Sequence, residues 1–366
     1  MQIFNIDYIK GIISGFFRST KISPDEIKLS EIKNILVIRM HDPMGDVLIS
    51  TAVIPNIKMA LPQAKIDVVA RPELSENEIF IGNKYINEII IFDKKKLFFP
   101  FHFFRFIYVI RRKKYDMAIV LGSTSISFSS LIIAFLSKAP IRVGYEGGFF
   151  GKKSQTNGFL TTEVPYNASV KKHEIERNLD LLRYIGILIK TNELFMATLV
   201  DEDEWANEVY KKNNISLGPD IVIGMHLGAN RLENRWPVDN FAKVSDYLIQ
   251  KYKIKIVVFV GPSEKELVKS FLNRAKCSVF LLTDLSLRQL ASVVKPLPLF
   301  ICNDTGILHL AAALGTTTLA IFGPTDPDLW NPLGRQHFVI RDKSQLVENI
   351  TSEQVISITE KILKFK

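Results

Sequence analysis

Asn303, Asp304, Thr305, Gly306 and His309 fall close together in one short stretch of the chain. The apolar run Leu297 to Ile301 precedes them and reads as a buried strand. An Ala/Leu-rich helix follows, and Thr316 to Phe322 reads as a second buried strand. This strand–turn–helix–strand order sets a helix N-terminus at the carboxyl edge of a parallel sheet. Such a terminus offers unpaired N–H groups and partial positive charge, which suits a phosphate or pyrophosphate. Asp304, Thr305 and His309 would then stand around the anion, and Gly306 would let it approach the backbone closely. The plainer alternative makes Asp304 or Thr305 a helix cap and His309 an ordinary helix residue.

A second segment carries a carboxylate instead of an anion hole. Ile35 to Arg39 reads as a first strand, Met40 to Asp46 as a loop containing Gly45, and Val47 to about Ala60 as a helix. Asp46 could take a proton from a hydroxyl within hydrogen-bond reach; it could equally cap its helix. Arg235 follows Gly224-Met225-His226-Leu227-Gly228, and a guanidinium grips phosphate with two N–H bonds. Glu264, after Val260-Gly261-Pro262-Ser263, could meet a sugar or ribose hydroxyl, or be a commonplace first-turn glutamate.

The elements that must position these side chains alternate along the chain. Strands are expected at 34–39, 65–70, 88–92, 116–121 and 140–143, with helices at 46–60, 98–113, 126–137 and 172–186. Asn192 to Asp201 reads as a junction. Strands near 220–225, 255–260, 278–281, 297–301 and 317–322 follow. Helices are expected at 202–213, 238–251, 263–275, 286–294 and 305–314, then from Ser352 to Ile362. Apolar strands between helices mean parallel sheets covered on both faces. The expected division is an amphipathic extension over 1–33, a doubly wound α/β domain over 34–195 and a second over 196–366. The loop from Gly144 to Gly158 is long and polar, either an acceptor cover or a plain surface loop.

Composition fits this plan. The chain has 366 residues, 47% hydrophobic and 23% charged, which is ample for two domains. Its 2 cysteines, Cys277 and Cys302, show no metal-type spacing, and a reducing cytosol is expected. No spanning helix or signal peptide is read. The net charge of +9 suits a phosphorylated substrate or an anionic membrane. Nucleic acid is not expected, because no binding signature accompanies the charge. Lys94-Lys95-Lys96 and Arg111-Arg112-Lys113-Lys114 flank the aromatic segment Leu97 to Phe106. Aromatics with basic flanks suit an interfacial helix; the alternative is a buried crossover helix.

Arg39 to Ala52, Gly224 to Ala229 continuing through Arg235-Trp236-Pro237, Asn303 to Gly315, and Phe322 to Pro327 together resemble glycosyltransferase family 9, the lipopolysaccharide heptosyltransferases. The blocks stand in that family's order and spacing. The resemblance implies a GT-B fold, two Rossmann-like domains facing a central cleft, the first for the acceptor and the second for the nucleotide sugar. It implies inverting transfer of a heptose from an ADP-linked donor to a lipopolysaccharide core acceptor. Asp46 becomes the base, with Arg39 and Gly45 as acceptor contacts. Asp304, Thr305, Gly306, His309, Arg235 and Glu264 become donor contacts. The family's lysine is replaced by Asn234, so Arg235 or Arg231 must supply its charge. The strings Asp201-Glu202-Asp203 and Asp326-Pro327-Asp328 read as a helix start and a proline turn, so no metal or cofactor is expected. The expected place is the cytoplasm, peripheral on the inner membrane. Alternatives are another sugar, a protein acceptor, a sugar-nucleotide epimerase, or a non-catalytic membrane-associated binding protein. A dinucleotide oxidoreductase would need Gly-x-Gly-x-x-Gly after the first strand, and the loop after Arg39 lacks it.

Overall fold

The computed structural model describes residues 19–40, 43–72, 76–96, 99–122, 127–146, 158–167, 169–261 and 264–364. The chain divides into two compact units, Met1–Asn192 and Glu193–Lys366.

The first unit holds strands β1 (Asn34–Ile38), β2 (Lys65–Ala70), β3 (Glu88–Ile91), β4 (Met117–Val120), β5 (Ile141–Tyr145) and β6 (Thr162–Val164). They form one parallel sheet in the order β3-β2-β1-β4-β5-β6. β1 and β4 are apolar along nearly their whole length and buried, as a strand covered on both faces must be. The helices are α1 (Met44–Ser50), α2 (Val53–Ala60), α3 (Glu76–Phe80), α4 (Pro100–Arg112), α5 (Phe128–Leu136) and α6 (Glu174–Tyr184).

One helix was expected over 46–60; two are found. Pro55 has no N–H to continue a helix through residue 51, and it is tolerated in the first turn of α2. The Ser50 and Thr51 hydroxyls donate to the carbonyls of Val47 and Leu48, each at 2.6 Å, which further loosens the break. Residues 19–33 pack onto this unit: Ile22 N–H bonds to Thr161 O at 2.9 Å, and Ile27 and Ile32 are buried. The amphipathic stretch expected before them, His41, Asp42, Phe98, and residues 147–157 of the expected cover loop lie outside the described residues.

The second unit repeats the plan with β7 (Val222–His226), β8 (Lys255–Val260), β9 (Phe280–Thr283), β10 (Leu299–Asn303), β11 (Thr318–Phe322) and β12 (His337–Arg341). Their order is β12-β11-β10-β7-β8-β9, again all parallel. The helices are α7 (Val200–Lys212), α8 (Val238–Tyr252), α9 (Lys265–Leu272), α10 (Leu287–Val294), α11 (Gly306–Ala313), α12 (Pro327–Trp330) and α13 (Ser352–Lys364). One apolar layer joins residues of α8, α9 and α13 to one sheet face; a second joins α7, α10 and α11 to the other. Trp236 is fully buried in the first layer, and its indole N–H donates to Ile350 O at 2.7 Å.

Both sheets wind outward from a central strand and then reverse. The reversal falls between β1 and β4 in one unit and between β7 and β10 in the other. At such a point the loops leaving two adjacent strands diverge and open a crevice at the carboxyl edge. β6 and β12, the outermost strands on one side, were not foreseen. β6 is very short, and β12 leaves Phe338 and Val339 partly exposed, so neither gives a continuous apolar run.

Candidate active site

In the second unit the loops after β7, β8 and β10 meet at the sheet reversal. Asn303, the last residue of β10, is completely buried. Its amide donates to Leu227 O at 2.9 Å and Gly228 O at 3.2 Å, while its oxygen accepts from Trp236 N–H at 3.1 Å. One side chain therefore ties both strand ends of the crevice to the Trp236 segment.

Asp304 and Thr305 follow, and α11 starts at Gly306. Thr305 has extended backbone and makes no side-chain cap bond, so it does not fill the capping role that was its plainer alternative. The Asp304 carboxylate is turned to other partners: Asn234 Nδ2 donates to it at 3.0 Å and also lies 3.1 Å from Thr325 Oγ1. The first-turn N–H groups of α11 thus carry the partial positive charge of an uncapped helix start. Burial pushes the Asp304 carboxyl above its usual range, opposed by the Thr325 hydrogen bond and the nearby charge of Arg231. His309 is buried within α11.

Asn234 ends a short 3-10 turn, Leu232–Asn234, and is buried. Gly323 lets that turn come close, because a Cβ there would lie 2.8 Å from Glu233 O and 2.9 Å from Val347 Cγ1. Arg235 is half-buried, and its Nε donates to Ala229 O at 2.7 Å, fixing the guanidinium beside the β7 loop.

Glu264 precedes α9. Its carboxylate accepts from Gly261 N–H at 2.7 Å and lies 3.2 Å from His226 Nε2. The other ring nitrogen of His226 sits 3.2 Å from Phe259 O, so an acceptor faces each nitrogen. Burial would raise the Glu264 carboxyl, but the His226 hydrogen bond and charge, the Gly261 N–H and Arg235 outweigh it and hold it below the ordinary range. The carboxylate lies against Gly228, where a Cβ would stand 1.6 Å from Glu264 Oε1. Pro262 and Ser263 of that loop lie outside the described residues.

In the first unit, Arg39 follows β1 and is buried. Gly45 and Asp46 lie in the first turn of α1, with Gly45 buried and Asp46 half-buried. These three again sit where a sheet reverses. The structure therefore groups the expected donor residues on one crevice of the second unit, and Arg39, Gly45 and Asp46 on the matching edge of the first. His226 and Thr325 were not singled out from the sequence as site residues, and Asn303 was read only as part of the segment that opens the turn. The available signal was a polar residue closing an apolar strand, as His226 and Asn303 do.

The model of glycosyltransferase family 9 (heptosyltransferase) matches residues 103–356. The chain belongs to this family. Lipopolysaccharide heptosyltransferase 2 of Escherichia coli (strain K12) is 27% identical over 81% of this chain and 85% of its own length. Lipopolysaccharide heptosyltransferase 3 of the same strain is 28% identical over 87% and 95%. The crystal structure of the glycosyl transferase family 9 from Veillonella parvula DSM 2008 superposes with a TM-score of 0.80 at 24% identity, covering 93% of this chain and 99% of that one. The chain is a glycosyltransferase, and its two sheets have the GT-B fold.

The acidic strings of this glycosyltransferase have structural partners. Glu202 takes two bonds from Arg288, at 2.8 and 2.5 Å, and accepts from Leu199 N–H. Asp203 pairs with Lys295 at 2.7 Å. Asp326 caps α12 by accepting from Asp328 N–H at 3.1 Å. Among the described residues no group of three or more His, Cys, Asp or Glu is placed to hold a metal.

Proposed function

We propose that this glycosyltransferase moves a heptose from an ADP-linked donor to a lipopolysaccharide core acceptor, with inversion at the anomeric carbon. The uncapped start of α11 at the sheet reversal carries the reading, because it supplies N–H donors where a diphosphate needs them. The acceptor hydroxyl attacks the anomeric carbon as Asp46 takes its proton, and the bond from that carbon to the diphosphate oxygen breaks. Negative charge then grows on the departing ADP. The N–H groups of Thr305 and Gly306 and the α11 dipole meet it, with His309 beside them. Arg235, held at Ala229 O, and Arg231, close enough to influence Asp304, supply the positive charge. Glu264 is pre-set as an ionised acceptor for a donor hydroxyl.

No metal enters this scheme, since preorganised N–H groups and arginines do the work of a cation. The acceptor is lipid-linked, so the enzyme works in the cytoplasm against the anionic face of the inner membrane. No helix among the described residues is long and apolar enough to cross a membrane. Binding and turnover across ADP-, GDP- and UDP-linked sugars test the reading. Thermal stabilisation and product are expected with ADP-heptose. A preference for a GDP- or UDP-sugar, or an epimerised donor without any acceptor product, overturns it.

A further inference from the structure

Helix α4 turns much of its aromatic surface outward. Phe106 and Ile110 are buried, and Phe106 packs edge-on against Phe92 with ring centres 5.1 Å apart. On the other faces, Phe101 is 71% exposed, Phe104 67% and Tyr108 65%, and Phe99 just before the helix is exposed as well. Three aromatic rings of the helix and Phe99 before it thus leave apolar surface in water that the fold does not bury. The expected alternative, a buried crossover helix, holds only for the Phe106–Ile110 stripe.

The helix and its two flanks carry charge of one sign, and the acidic residues near them, Asp67, Glu88 and Asp93, pair with Lys96 and Lys113. From Lys94 to Lys114 the sequence contains eight Lys or Arg and no Asp or Glu. Lys94, Lys95, Arg105, Arg111 and Arg112 are exposed. Behind the helix, between α4 and α5, lies a cavity of about 270 Å³. Phe92, Phe103, Phe106, Ile132 and Leu136 line it, and Lys94 joins them. An apolar slot with a cation beside it matches an amphiphile whose chain is apolar and whose head is anionic.

We propose that α4 docks into the surface of an anionic lipid bilayer, with its exposed aromatics entering the headgroup boundary and the α4–α5 slot receiving a lipid acyl chain next to Lys94. The inference deepens the membrane part of the proposed function and names the element that makes the contact.

Co-sedimentation tests it with phosphatidylglycerol-containing vesicles against pure phosphatidylcholine vesicles over a salt series. Binding is expected only with the anionic lipid and should weaken as salt rises. K94E/K95E and F101S/F104S should each lower the partition coefficient by about tenfold or more. In F104W, indole fluorescence should be quenched by vesicles carrying brominated acyl chains. The natural tryptophans, Trp205, Trp236 and Trp330, all lie in the second unit and give the baseline. Turnover on a deacylated, soluble acceptor should be unchanged in F101S/F104S, which separates a failed docking surface from a failed catalytic reading. Binding indifferent to lipid charge and to both double variants overturns the proposal. So does self-association of the protein that F101S/F104S abolishes, which would make this face a contact between copies.

Discussion

The side-chain amide of Asn234 reaches the Asp304 carboxylate at 3.0 Å across 70 positions of sequence. It thereby fastens the β7 loop to the turn that opens α11. Asn234 occupies the position where the family resemblance leads one to expect lysine, so here a neutral amide holds Asp304, and in the proposed scheme Arg235 and Arg231 supply the charge. Asn234→Ala leaves a half-buried carboxylate short of one donor, a loss of roughly 1–3 kcal/mol. Donor affinity should fall by about tenfold, with a smaller change in turnover once donor is saturating. Calorimetry with ADP and with the donor checks this; unchanged affinity would mean that Asp304 is held well enough by Thr325 alone.

Asp46→Asn keeps the size of the side chain and removes its basicity. General-base contributions are on the scale of 10²–10⁴. Turnover should therefore drop by about 10²-fold or more while donor affinity stays near that of the parent. Steady-state kinetics at saturating donor decide it, and a variant with nearly full kcat would take Asp46 out of the mechanism.

Turnover should survive EDTA. Glu202 and Asp203 are already committed to Arg288 and Lys295, and Asp326 to the start of α12. If activity were lost on chelation and restored by Mg²⁺ or Mn²⁺, these pairings would have to open to hold a cation.

Much of this architecture is legible in the sequence, for a physical reason. Strands such as Ile35–Ile38 and Leu299–Cys302 are buried on both faces, so they must be apolar throughout, and they show as uninterrupted runs. β6 and β12 lie at sheet edges and carry no such mark. The site is legible only in part. Asp304-Thr305-Gly306 announces a helix start from local residue types. The Asn234–Asp304, His226–Glu264 and Asn303–Gly228 contacts join segments far apart, and no local pattern encodes them. The break between α1 and α2 was hidden because Pro55 sits where a new helix accepts it as readily as an old one ends.

Gly306 is the first residue of α11, where the diphosphate is expected to lie nearest the backbone. Gly306→Val inserts a branched side chain into that approach while remaining compatible with a helix start. Losing a hydrogen bond to a charged group removes about 1.5–3 kcal/mol, which is tenfold or more in affinity. The expected result is weaker ADP binding in a variant with the parent's circular dichroism. Equal ADP affinity in a folded variant would move the diphosphate elsewhere.

His337 gives a prediction about stability instead of activity. It lies on β12 directly opposite Thr318 of β11, with its Nδ1 3.0 Å from the threonine hydroxyl. Burial pushes its pKa down from 6.5 to about 4, so the folded protein keeps this ring neutral over a range where the unfolded chain protonates it. The unfolded state then binds more protons, and stability falls as pH drops from about 6.5 towards 4. At pH 5 the loss is on the order of 2 kcal/mol from this one ring, less whatever solvent reaches it. His337→Gln retains a hydrogen-bonding side chain but cannot take up the proton. Urea unfolding at pH 7 and pH 5 should show a smaller acid loss in the variant than in the parent. Equal losses in the two proteins would mean that His337 titrates in the fold as it does in the open chain.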